Sequence, residues 1–191
     1  MKFHYMGKYN GDEQSLPKRE HPVGAVAFKE AEDMNKLTLM ANIGGFSLMC
    51  LLAFSFGYFG APYLKGKIMQ VLLGVISSSL IFIVHEFIHA LCYQEDVYCY
   101  TNFNQGLAFV CGTEDFSKSH FVFMCLLPNI ILGWIPYLLF LIHPAYIFLG
   151  SFGLICTGMG FGDYINAFNA ITQMPKGAKT YLSGMHSYWY K

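Results

Sequence analysis

Charge is missing from long stretches of this chain, and that constrains its fold more than any other feature. From Leu37 to Leu64 there is no Asp, Glu, Lys or Arg. From Ile68 to Gln94 there is only Glu86, and from Phe121 to Pro175 only Asp163. These 110 residues carry two charges, while the other 81 carry 22. A bilayer core about 30 Å thick is crossed by about 20 apolar residues in helix, and four stretches reach that length. Spans are expected at about 37–60, 68–93, 121–142 and 145–170. The third holds Pro128 and Pro136, and the fourth holds Gly150, Gly153, Gly158, Gly160 and Gly162. Such residues are tolerated in lipid where neighbouring helices re-satisfy the backbone. Only 13% of residues are charged, against about 25% in soluble domains, which excludes an ordinary soluble globule. A hydrophobic share of 54% excludes a disordered chain.

The expected fold is an all-α membrane protein: four transmembrane helices with a small cytoplasmic β-hairpin between helices 2 and 3. An N-terminal cytoplasmic segment covers residues 1–36, the membrane domain 37–175 and a cytoplasmic tail 176–191. The first apolar run follows 36 polar residues, so it is expected to stay as an anchor rather than be cleaved. Placing the N-terminus inside puts ten of the twelve Lys/Arg on inner segments, leaving Lys65 and Lys67 outside. The positive-inside bias therefore favours two cytoplasmic termini. Within the first segment, 24–28 reads as a short strand and 28–36 as an interfacial helix. Two β-prone runs, 96–103 and 107–111, flank Asn104-Gln105-Gly106, a hairpin signal. The six cysteines form no CxxC pair and are expected as buried thiols. Zero net charge gives no reason to expect a nucleic-acid partner.

The second span ends in His85-Glu86-Phe87-Ile88-His89, an H-E-x-x-H motif on a helix. Residues four apart share a helical face, so both imidazoles can reach one Zn²⁺. Glu86 then stands where it can take a proton from water. A chain of this composition yields about 0.01 such motifs by chance. A carboxylate within a transmembrane helix costs several kcal/mol unless compensated, and a divalent cation between two histidines compensates it.

Zinc peptidase sites use three protein ligands. The metzincin extension fails, because Cys92 and Glu95 stand where Gly and His are required. Asp163 is the other lone charge in an apolar span, and helix length places it level with the motif. Phe87 lies 19 residues and Asp163 18 residues from the outer face, roughly 28 and 27 Å at 1.5 Å per residue. Glu114, Asp115 and His120 are the other ligand candidates, and Asp163 could instead partner a buried polar group. Asn129, Asn166 and Asn169 are candidate substrate-binding residues; helix–helix hydrogen bonding is the plainer role for each.

A metal motif in a transmembrane helix, an acid on a later helix and a β-prone segment between them resemble the site-2 protease type of intramembrane zinc metalloprotease. More closely, the chain resembles the small bacterial membrane proteins grouped as putative zincin peptidases, a domain-of-unknown-function family. His85-Glu86-Phe87-Ile88-His89-Ala90, Leu127-Pro128-Asn129 and Gly162-Asp163-Tyr164 carry the match. In site-2 proteases the third ligand sits in a Leu-Asp-Gly context; here it is Gly-Asp-Tyr, and no PDZ-like insertion is present. The resemblance implies a multi-pass protein of the bacterial plasma membrane.

The expected activity is peptide-bond hydrolysis with Zn²⁺ as cofactor, His85, His89 and Asp163 as ligands and Glu86 as general base. Expected partners are a peptide or membrane-protein substrate and the lipid bilayer, with homo-oligomerisation left open. The substrate must be extended, and the 96–111 hairpin could offer it an edge. Two rivals remain: a metal transporter or sensor using the same ligands, and an inactive protease-like scaffold.

Overall fold

The computed structural model describes residues 1–30, 34–103 and 107–191. The Asn104-Gln105-Gly106 turn and part of the 28–36 helix expected from sequence lie outside the described residues. Among the described residues the chain is mostly helical with two β-sheets, and it divides into two compact units. One comprises Met1–Glu30, Glu86–Cys125 and Asn166–Lys191; the other comprises Ala31–His85 and Leu126–Ile165.

The second unit is helical. It contains α1 (Met34–Gly60), α2 (Ile68–Leu80), the start of α3 (Phe82–Ala90) and the end of α4 (Lys118–Pro128). A π-turn (Asn129–Trp134), α5 (Ile135–Ile142), α6 (Ile147–Met159) and the start of α7 (Phe161–Gln173) complete it. Its buried core is Leu52, Tyr137, Phe140 and Ile147, with Leu48, Phe56 and Val71 packed around. Glycines let α6 approach its neighbours closely. A Cβ on Gly45 of α1 would lie 2.4 Å from the Gly158 carbonyl oxygen, and one on Gly74 of α2 would lie 2.1 Å from Ser151 Oγ. Gly45→Ala therefore meets rigid backbone and should cost about 1–3 kcal/mol. Gly158→Ala meets Met49 Cγ and Sδ at 2.2 and 2.9 Å, which a rotamer change can move, before the Gly45 carbonyl oxygen at 3.0 Å, and should cost less. Thermal unfolding of the two variants in detergent checks the order.

The span pattern departs from the expected four helices. Lys36–Tyr63 and Lys118–Ile142 are long and apolar enough to cross a membrane. The expected 68–93 helix is α2 followed by α3, bent by 47°, and counts as a third if the pair forms one span. Its bend has a local cause. Ser78 and Ser79 both hydrogen-bond the Val75 carbonyl, at 2.7 and 3.0 Å, and such back-bonding competes with the helical ladder and bends helices. The 145–170 stretch divides at Gly160 into two 13-residue helices. Pro128 and Pro136 do not break the third stretch, because the π-turn between them absorbs the irregularity.

The other unit corrects the all-α expectation, since it carries both sheets. Strands β1 (Lys2–Lys8), β3 (Asp96–Asn102) and β4 (Leu107–Cys111) form the first, in the order β1-β3-β4. β1 runs parallel to β3, from Lys2 opposite Asp96 to Lys8 opposite Thr101. β4 pairs antiparallel, with Tyr98 opposite Cys111, so the expected hairpin strands are present. The second sheet is β2 (Val26–Ala27), β7 (His186–Tyr190), β6 (Lys179–Ser183) and β5 (Phe116–Ser117), in that order. Residues 179–190, within the tail expected at 176–191, form a hairpin whose turn uses Gly184 at φ +65°. Tyr9, Leu16, Tyr100 and Cys111 form a core, and burial pushes the Cys111 thiol up to about 12, leaving it protonated and inert at neutral pH.

Asp115 stitches this unit together. It accepts from Arg19 Nη1 at 2.9 Å and from the Tyr190 hydroxyl, and lies 3.5 Å from Lys179 Nζ. Burial alone would raise its carboxyl, but Tyr190, Arg19 and Lys179 together hold it below the usual carboxylate value. A depressed folded-state pKa stabilises the fold above the unfolded value, about 3.9, and this contribution fades as pH falls through the folded value. Asp115→Asn should therefore lower the melting temperature at pH 7 and narrow its gap to wild type below about pH 4. Melting curves across that range provide the check.

Candidate metal centre

The motif residues lie on α3, one continuous helix. Ligand atoms of His85, Glu86 and His89 all lie within 4.8 Å of one another. The residues are neighbours on one face because of their spacing. His89 is buried and the other two half-buried.

Each histidine has an oriented partner within its own unit. His89 Nδ1 lies 2.9 Å from the Met124 carbonyl oxygen. A carbonyl only accepts, so Nδ1 carries the proton and Nε2 keeps its lone pair for a metal. Metal-binding histidines are commonly fixed in this way. His85 Nε2 lies 2.9 Å from Asp163 Oδ2. Asp163 also accepts from Asn129 Nδ2, at 2.8 Å, and occupies the first turn of α7, where the helix dipole favours a carboxylate.

The donor set fits zinc. Imidazole nitrogens and carboxylate oxygens are donors that Zn²⁺ accepts in tetrahedral sites, with bonds of about 2.0–2.2 Å; the ligand atoms that lie within 4.8 Å of one another are those of His85, Glu86 and His89, while Asp163 faces His85. Two ligands of one tetrahedral ion then stand about 3.3–3.5 Å apart. The 2.9 Å between His85 Nε2 and Asp163 Oδ2 is a few tenths of an ångström short of that, so these two residues stand close to the separation that two ligands of one ion would take.

The remaining candidates have other surroundings. Asn129, offered by sequence for substrate, is 1% exposed and faces Asp163. Asn169 is buried, its Oδ1 accepting from Gln173 one turn later, and Asn166 is half-buried on α7. Glu114 accepts from the Gln94 and Glu95 backbone amides at 2.7–3.0 Å. Asp115 belongs to the Arg19–Tyr190 network, and the His120 ring packs edge-on against Phe116.

Sequence reasoning missed the two residues that seat these groups. Met124 offers only a backbone carbonyl, which leaves no compositional trace. Gly160 was one of five glycines in its stretch. A Cβ there would lie 1.8 Å from Asn129 Oδ1, so only glycine leaves room for that amide. Proximity of Gly160 to Asp163 was the available signal.

His85, Glu86, His89, Met124, Asn129, Gly160 and Asp163 all fall between residues 78 and 179. No curated protein and no solved structure matches the chain. Residues 78–179, just over half of the 191, match the family described as putative zincin peptidase, and the chain belongs to that family.

Proposed function

We propose that this protein is a zinc-dependent, membrane-embedded peptidase of the site-2 protease type, with His85, His89 and Asp163 holding the ion and Glu86 acting as general base. The observation that carries this reading is the paired orientation of the histidines. His89 is held in the Nε2-ligand tautomer by Met124, and His85 faces a carboxylate that Asn129 itself orients. A scaffold would need neither arrangement, nor the intact Glu86.

Zinc, when bound, would supply a Lewis acid that polarises the scissile carbonyl and lowers the pKa of water toward about 7. The chain's own groups do the rest. Glu86, one residue from His85 on the same helix, takes a proton from the attacking water on its carboxylate and returns it to the leaving nitrogen. The substrate is a peptide or an unwound membrane segment, because helical carbonyls are occupied by their own hydrogen bonds. β4 is an edge strand of its sheet, and an extended substrate can pair along it.

A bilayer setting is supported by α1, where Leu39, Ile43, Phe46, Leu51, Phe54 and Tyr58 are all exposed. An apolar surface of that extent suits lipid rather than water. The positive-inside bias supports two cytoplasmic termini, a topology that needs an even number of crossings, and the resemblance to small bacterial membrane proteins supports a bacterial plasma membrane. The test is hydrolysis of a labelled transmembrane-segment peptide by the purified protein in liposomes. Cleavage should stop with a zinc chelator and return on adding zinc. Cleavage unaffected by chelation would overturn the proposal.

A further inference from the structure

We propose that the Leu127-Pro128-Asn129 motif is the outer shell of the metal centre, with Pro128 and Asn129 as positioning residues for His89 and Asp163. The inference rests on the zinc-site reading above and assigns a task to a motif that reading leaves unused.

The argument for Pro128 is one of subtraction. In an α-helix the N–H of each residue donates to the carbonyl four residues earlier. Proline has no N–H, so residue 128 cannot donate to the carbonyl of residue 124. That carbonyl is the one that accepts from His89 Nδ1, at 2.9 Å. Pro128 thereby removes the α-helical competitor for the oxygen that fixes the His89 tautomer. The π-turn Asn129–Trp134 follows directly on Pro128, and such turns recur at functional sites.

Asn129 acts on the other ligand. Its side chain is 1% exposed, and its Nδ2 donates to Asp163 Oδ2 at 2.8 Å. The bond holds the carboxylate in one rotamer beside His85 Nε2, 2.9 Å away. Gly160 makes the seat possible, since any Cβ there would overlap Asn129 Oδ1. One motif therefore serves two ligands: proline by withholding a donor, and asparagine by supplying one.

Loss of an outer-shell partner typically costs 10–100-fold in metal affinity. The full-length protein in detergent is stripped of metal and titrated with zinc against a chromophoric chelator. A parallel titration with cobalt(II) records the visible d–d spectrum. Asn129→Ala and Gly160→Ala should each weaken zinc by at least about ten-fold and shift the cobalt bands. Pro128→Ala, which restores a competing N–H, should do likewise. The control is Pro136→Ala in the same helical run, whose missing donor concerns the carbonyl of Leu132, away from the histidines in sequence. It should bind zinc as wild type does. Wild-type affinity in Pro128→Ala or Asn129→Ala would overturn the inference, as would an equal loss in Pro136→Ala, which would mark a general effect on the helix. Failure of wild type itself to bind zinc would instead refute the underlying metal-site reading.

Discussion

Glu86→Gln should lower peptide hydrolysis by about a thousand-fold, within the usual range for a positioned general base, while zinc remains bound. The substitution preserves shape and hydrogen-bonding reach but removes the basic oxygen. Glutamine cannot take the water proton or return it to the leaving nitrogen, so both proton transfers fail together. Zinc retention is part of the expectation, because the assigned ligands are His85, His89 and Asp163. Turnover and bound zinc measured on one preparation separate the outcomes. A variant that still hydrolyses at the wild-type rate excludes Glu86 as base. A transporter or sensor would move zinc into proteoliposomes equally well with either residue at position 86.

His89→Ala should reduce bound zinc from about one per chain to near none and abolish hydrolysis with it, since a catalytic site keeps only three protein ligands. The substitution also strands the Met124 carbonyl, which accepts from His89 Nδ1 at 2.9 Å in a buried setting. An unmet buried acceptor costs about 1–3 kcal/mol, so a lower melting temperature should accompany the loss. His89→Gln keeps a donor near that carbonyl and should recover part of the stability but none of the activity. Metal analysis and melting curves on both variants distinguish the ligand role from the packing role.

Much of the candidate site is legible in the sequence because its signals are local. The H-E-x-x-H spacing becomes a shared face on any helix, and α3 supplies it whether or not α2 continues straight into it. Asp163 stood out because a lone carboxylate in an apolar stretch needs a partner. The depth estimate that placed it level with the motif treated both stretches as straight rods, and neither is: one bends by 47° and the other breaks at Gly160. The adjacency survives, with 2.9 Å separating His85 Nε2 and Asp163 Oδ2.

The strands at 24–28, 96–103 and 107–111 are legible in the sequence, but the rest of the two sheets is not, for the opposite reason. β1 gains its structure from parallel pairing with β3, more than ninety residues away, and strand pairing over that distance leaves no local pattern. β5 is two residues long, too short for alternation to register, whereas β2, Val26–Ala27, falls inside the strand expected at 24–28. The hairpin at 179–190 did carry a signal, in Thr180-Tyr181-Leu182 and Tyr188-Trp189-Tyr190 around Gly184, but its position after the last apolar stretch made it resemble a tail. The helix bend follows from serines bonding back to Val75, a choice of side-chain rotamer that composition does not reveal.

The most direct test of the account is the zinc content of purified wild type beside Asp163→Ala, with circular dichroism confirming that the variant keeps its fold. About one zinc per chain in wild type and almost none in the variant is the predicted result. A folded Asp163→Ala protein that still holds one zinc per chain would contradict it.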